Sequence, residues 1–190
     1  MSDIRHLWLA WTLFFASLAC ANPPFPAHGS ILEKIAFSHL DDLQIIGADT
    51  ENDKYWRWAA WSESSENGPS VKLALLNHKT KNVDIKWYSD KQDAYGPVIT
   101  RVVNWRHGQH PILVLTYRQG AEAQQVELYG LDEKNRPLLL DKRLGEQIEW
   151  RIGIQGETVL SIYSKPYGHL VPVCYGWQDE KKRLESLLCP

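Results

Sequence analysis

This 190-residue sequence lacks several signatures, and each absence removes a class of function. There is no G-x-S-x-G nucleophile turn, no H-E-x-x-H metal motif, no phosphate-binding glycine loop and no dinucleotide fingerprint. No cofactor or resident metal is therefore implied, and the chain reads as more of a binding protein than an enzyme. Acid pairs for glycoside cleavage leave no local trace, because their partners meet only in space. A strong charge of one sign is also missing. With 21 basic against 23 acidic side chains the net charge is −2, which disfavours a nucleic-acid partner. No apolar run reaches the roughly twenty residues that a membrane-spanning helix needs. Cysteine is scarce, with three in all.

The longest uncharged run, Leu7 to Ala21, reads LWLAWTLFFASLACA. Arg5 and the α-amino group precede it. Ala19-Cys20-Ala21 fits a small-x-small cleavage site, and Asn22-Pro23-Pro24 breaks the helix behind it. Residues 1–21 are thus expected to be a secretory signal peptide, with an uncleaved anchor as the alternative, and the mature chain to be periplasmic or secreted. Ser17-Leu18-Ala19-Cys20 partly resembles a bacterial lipoprotein cleavage box, in which the cysteine becomes acylated and tethers the protein to the membrane. Ser17 stands where that pattern prefers an aliphatic residue. By either route Cys174 and Cys189 remain as a pair, and an exported protein is expected to join them in a disulfide. By the chain-entropy account such a bridge contributes about 3 kcal/mol.

The remaining residues, 22–190, suit a single domain with a substantial core. Their charge is uneven. Residues 22–70 hold Glu33, Asp41, Asp42, Asp49, Glu51, Asp53, Glu63 and Glu66 against Lys34, Lys54 and Arg57, a local balance of −5. Residues 1–21 are neutral, so 71–190 carry +3 of the overall −2. Such asymmetry orients a partner or merely solvates a face.

The pattern after residue 55 is β throughout. Val71 to Leu76, a polar turn from His78 to Asn82, and Val83 to Tyr88 read as a hairpin. Ile112 to Tyr117 is a continuous apolar run, as in a strand buried on both faces. Gln125 to Tyr129 and Leu138 to Leu140 follow it. Thr158 to Tyr163, Leu170 to Tyr175 and Leu184 to Leu188 repeat the same order. Two segments read either way. Residues 30–43 suit a short amphipathic helix or two short strands, and 183–188 a strand or a short helix.

The dipeptide Trp-Arg occurs at Trp56-Arg57, Trp105-Arg106 and Trp150-Arg151, with spacings of 49 and 45 residues. After the last two copies the sequence stays in register. Gly108 matches Gly153, then at an offset of 46 Leu113-Val114 match Val159-Leu160, Tyr117 matches Tyr163, Tyr129-Gly130 match Tyr175-Gly176, and Leu138 matches Leu184. Units of about 45 residues with four short strands resemble the blades of a β-propeller. That resemblance implies an all-β fold of repeated antiparallel four-strand units, at about 56–104, 105–149 and 150–190. Three blades are fewer than the usual four to eight. Residues 30–55 would supply a fourth, or two chains would form a six-bladed homodimer. A β-sandwich or curled meander of duplicated hairpins remains the alternative.

Four aromatic side chains are the candidate binding residues: Tyr55, Trp56, Trp58 and Trp61. Trp, Tyr and Arg dominate binding hot spots, and an exposed row of rings would form a platform for sugars or a partner protein. On a strand, Trp56 and Trp58 point one way while Tyr55, Arg57 and Trp61 point the other. Rings on both faces equally suit a strand packed on both sides, and exposure separates the two readings. The repeated arginines are expected to stack on rings or pair with acids within the sheets. Asp49 to Asp53 places acids at alternate positions like a calcium loop, but lacks the sixth-place glycine, and Ala60 stands at the closing position. His107 and His110 share a turn, yet spacing supplies no further metal ligand.

The resulting expectation is an exported interaction protein of the cell envelope, holding a protein or glycan partner as inhibitors and immunity proteins do. The alternatives are a small secreted hydrolase acting on envelope polymers through non-repeated loops such as Asp90 to Tyr95 or His107 to His110, and an accessory lipoprotein anchored through Cys20.

Overall fold

The structure is a computed structural model, and it describes residues 42–48, 55–77, 83–103, 111–153, 156–165 and 168–189. The expected signal peptide, Cys20, the segment 30–41, the acidic loop 49–54 and the turn holding Trp105, His107 and His110 lie outside these residues.

The fold is all-β. Three antiparallel four-stranded sheets follow one another along the chain, each a meander of sequential neighbours. The first holds β1 (Gln44–Gly47), β2 (Trp56–Ser65), β3 (Gly68–Asn77) and β4 (Asp84–Gln92). The second holds β5 (Ala94–Val103), β6 (Ile112–Gln119), β7 (Ala123–Leu131) and β8 (Pro137–Gly145). The third holds β9 (Gln147–Ile152), β10 (Thr158–Ser164), β11 (Val171–Gln178) and β12 (Arg183–Leu187). Tight turns join the strands where the local sequence tolerates a left-handed backbone. Gly68 closes the β2–β3 hairpin at φ 101°, and Asp93, at φ 55°, takes the chain from the first sheet into the second.

The sheets stack face to face with the second in the middle. Alternation along each strand sends one set of side chains to each neighbour. Leu113, Leu115 and Tyr117 of β6 meet Trp58, Ala60, Leu73 and Leu75 of the first sheet. Ile112 and Val114 face the other way and pack with Leu160, Ile162, Trp177 and Leu184 of the third. This accounts for the unbroken apolar run of β6, a strand covered on both sides. Gly145 ends β8, where the chain passes from the second sheet into the third. A Cβ there would collide with Cγ2 of Ile162 and sit 2.9 Å from the carbonyl oxygen of Tyr163.

The four-strand unit holds, but its boundaries differ from those read off the Trp-Arg dipeptides. The sheets span 44–92, 94–145 and 147–187. Trp56-Arg57 lies on the second strand of its sheet, whereas Trp150-Arg151 lies on the first strand of its own. The two copies are therefore not equivalent, and the dipeptide does not mark a common seam. The Tyr-Gly match is also displaced by one residue. Tyr129 stands opposite Leu113, but Tyr175 stands opposite Leu160 rather than Val159. A one-residue slip turns a side chain to the opposite face. The slip falls on β10: Tyr129 and Tyr175 each pack toward the preceding sheet, but beside them stand Leu113 in β6 and Leu160, not its sequence match Val159, in β10. Residues 183–187 form a strand, not a helix.

Candidate functional site

The aromatic row does not form a platform. Trp58 is 2% and Trp61 1% exposed, Trp56 is half-buried, and of the four only Tyr55 is exposed. The alternation across β2 is as expected, yet both faces are covered. Trp58 packs into the core between the first two sheets, 6.2 Å from Trp87 and 6.1 Å from Tyr129 between ring centroids. Trp61 faces outward with Ala59 and lies 6.4 Å from Tyr88. Large rings on both faces of one strand seal two layers instead of offering a surface.

Asp90 to Tyr95 is not a loop either. Asp90 to Gln92 end β4, and Ala94 and Tyr95 begin β5. Asp90 forms an ion pair with Lys72, and Lys91 is drawn into a buried cluster that local sequence gives no sign of. There, Glu127 of β7 is 3% exposed in its side chain. Its carboxylate lies 2.7 Å from Nζ of Lys91 and 3.4 Å from Nζ of Lys142. The hydroxyl of Tyr117 donates to it at 3.0 Å and that of Tyr129 at 2.7 Å. Burial alone would raise the Glu127 pKa. The Lys91 ammonium and the two tyrosine hydroxyls outweigh it, and the carboxyl is held below its usual range. Burial, reinforced by the Glu127 charge, pushes both tyrosines well above their usual value. Every oxygen of Glu127 is engaged, so the cluster staples the first sheet to the second and offers no free acid or base.

The open site lies where the first strands of the three sheets meet. A cleft of about 680 Å³ is bordered by Ile46 of β1, by Thr100 to Val103 of β5 and by Trp150 to Ile152 of β9. A smaller recess of about 320 Å³ lies between the second and third sheets, and both are lined by Arg101 and Trp150. Side-chain amides hold the strands in place around it. Gln44 of β1 donates Nε2–H to the carbonyl of Val98 at 2.7 Å and accepts from the N–H of Thr100 at 2.8 Å. Gln124 of β7 accepts from the N–H of Ile148 at 2.9 Å, holding β9 against the second sheet. Farther out, Asp141 accepts the N–H of Leu184 at 2.8 Å, and the Arg143 guanidinium lies 5.2 Å from the Tyr175 ring centroid.

The chemistry of the cleft is cationic and apolar. Arg101 is exposed, and no acid pairs with it among the described residues. Arg151 lies 3.1 Å from Glu149 and also donates to Tyr163. This half-buried trio holds the Glu149 carboxyl below its usual range, first through the Tyr163 hydroxyl and then through Arg151. Ile152, at the rim, is 78% exposed. Of the repeated arginines, Arg57 donates to the Trp56 carbonyl at 2.9 Å, and Arg151 pairs with an acid beside the cleft.

Cys174 and Cys189 form the expected disulfide across 15 residues of sequence, tying the C-terminal segment to β11. No group of three His, Cys, Asp or Glu side chains among the described residues is placed to hold a metal. Comparison with protein families, with curated proteins and with solved structures returns no match.

Proposed function

We propose that this chain is an exported interaction protein of the cell envelope, and that it holds a protein partner in the cleft where β1, β5 and β9 meet. One observation carries the reading. The open cleft places an exposed apolar side chain, Ile152, beside the guanidinium groups of Arg101 and Arg151. Burying exposed isoleucine and matching arginine are what a partner supplies. Three acids that could have served acid-base chemistry have other employment. Glu127 and Asp90 are locked in ion pairs, and Glu149 is hydrogen-bonded to its neighbours. The disulfide supports residence in an oxidising compartment, in keeping with the leader-like residues 1–21.

The test is capture from envelope extract by the protein and by its Ile152→Lys variant. A partner retained by the former and lost by the latter is the expected result. A partner held equally by both would move the site elsewhere on the surface.

A further inference from the structure

The outward edge of β5 bears directly on what the cleft accepts. Gln44 reaches β5 with its amide, donating to the Val98 carbonyl and accepting from the N–H and hydroxyl of Thr100 at 2.8 and 2.9 Å. A side-chain amide does there what the peptide group of a neighbouring strand would do. Ladder alternation turns residues two apart to the same edge. The next outward residue is Val102, which stands opposite Leu113 of β6 and lines the cleft. Its N–H and carbonyl have no partner beyond the sheet among the described residues. An unpaired donor and acceptor side by side on a strand edge form a template for another strand.

Charge restricts the candidates further. Among the described residues the larger cleft is lined by Arg101 and Arg151 and by no acidic side chain. Glu149 offsets only Arg151, from the smaller recess. The four consecutive lining residues of β5, Thr100 to Val103, extend over about 13 Å at the usual strand rise. That is room for about four residues of an extended ligand.

We infer that the cleft takes an acidic peptide in extended conformation, added as a strand along β5. Its main chain pairs with Val102, a carboxylate meets Arg101, and an alternate apolar side chain covers Ile152. This is peptide recognition by strand addition, in which main-chain bonds supply affinity and alternate side chains supply specificity. An acidic sugar would satisfy Arg101 but leave the Val102 donor and acceptor unmatched. The inference rests on the cleft being the partner site and adds the chemistry of the partner.

The test is calorimetric titration of the disulfide-intact protein with the acetylated, amidated peptide Val-Glu-Val-Glu-Val. Three probes accompany it: the same peptide with Gln for Glu, the same peptide N-methylated at its central residues, and trigalacturonate. Saturable binding of the acidic peptide is expected. Losing the charge-assisted contact should weaken binding by about tenfold or more, both for the Gln peptide and for the Arg101→Gln variant. The N-methylated peptide should bind far more weakly than its parent. Equal binding of the Gln peptide would refute the charge contact, and equal binding of the N-methylated peptide would refute strand addition. Trigalacturonate binding as tightly as the peptide, with the same dependence on Arg101, would make the ligand an acidic glycan. If no peptide binds while Ile152→Lys still abolishes partner capture, the cleft remains the site and the acidic strand is excluded. If Ile152→Lys leaves capture intact, the cleft itself falls.

Discussion

Replacing Glu127 with Gln tests the seal between the first two sheets. The substitution keeps the shape and an acceptor oxygen for one of Tyr117 and Tyr129, which donate to different carboxylate oxygens, but removes the negative charge 2.7 Å from Lys91. The Lys91 side chain is 13% exposed, so its ammonium is left nearly buried without a counter-charge. Breaking a buried pair by removing one partner costs about 3–5 kcal/mol. Lys91 can move its ammonium part of the way to water, which places the cost near the lower end, about 3 kcal/mol. For a domain of this size that lowers the melting temperature by on the order of 10 °C. Lys91→Met in the Glu127→Gln background removes the orphaned charge and should recover most of the loss. Thermal and urea unfolding of the two single variants and the double variant, read as a double-mutant cycle, measure the coupling. The reasoning fails if Glu127→Gln unfolds like the parent, or if the double variant loses the sum of the two single losses. The pH dependence follows from the same geometry. The folded Glu127 pKa lies below the unfolded value of about 4.3. Its stabilisation is therefore present above that value and is lost as the pH falls through the folded pKa.

Other outcomes follow from particular contacts. Cys189→Ser opens the disulfide and should cost about 3 kcal/mol in urea unfolding, with the parent falling to the same stability under reductant. Gly145→Ala forces a Cβ against Ile162 between the second and third sheets, and the resulting overpacking should cost about 1–3 kcal/mol by thermal melting. Tyr117 and Tyr129 have raised folded pKa values, so their contribution is complete below the unfolded pKa of about 10 and declines as the pH rises above it. Ultraviolet phenolate absorption should leave both tyrosines un-ionised at a pH that ionises free tyrosine. Mass spectrometry of the mature N-terminus should find Asn22 free, and an acylated Cys20 would establish membrane tethering instead.

The strands that were legible in the sequence are the ones that bury side chains on a regular period. The run Ile112 to Tyr117 is apolar throughout because β6 is covered on both faces, and periodicity reports that burial directly. The hairpin of β3 and β4 was readable for the same reason, since its alternation and polar turn are local. The first strands were not. β5 contains Gly96 and Pro97, which read as a breaker, and β9 alternates polar residues that face an exposed surface. Each of these strands pairs with a single neighbour in its sheet, so little burial is written into its sequence. The Trp-Arg repeat misled because dipeptide identity does not report strand position, and the one-residue slip of β10 relative to β6 is invisible without pairing. The aromatic row was legible in its alternation but not in its exposure, which depends on what lies across each face. Glu127 was missed because Lys91 and Lys142 reach it from other strands. The cleft was missed because Ile46, Arg101 and Arg151 come together only when three separate sheets meet.

Amide hydrogen exchange of the protein with and without its captured partner tests most directly whether the meeting point of β1, β5 and β9 is the functional surface. The account predicts new protection at Thr100 to Val103 and at Trp150 to Ile152, with the amide of Val102 among the most slowed. Protection confined to the disulfide-tied end of the third sheet, with those two segments unchanged, would contradict it.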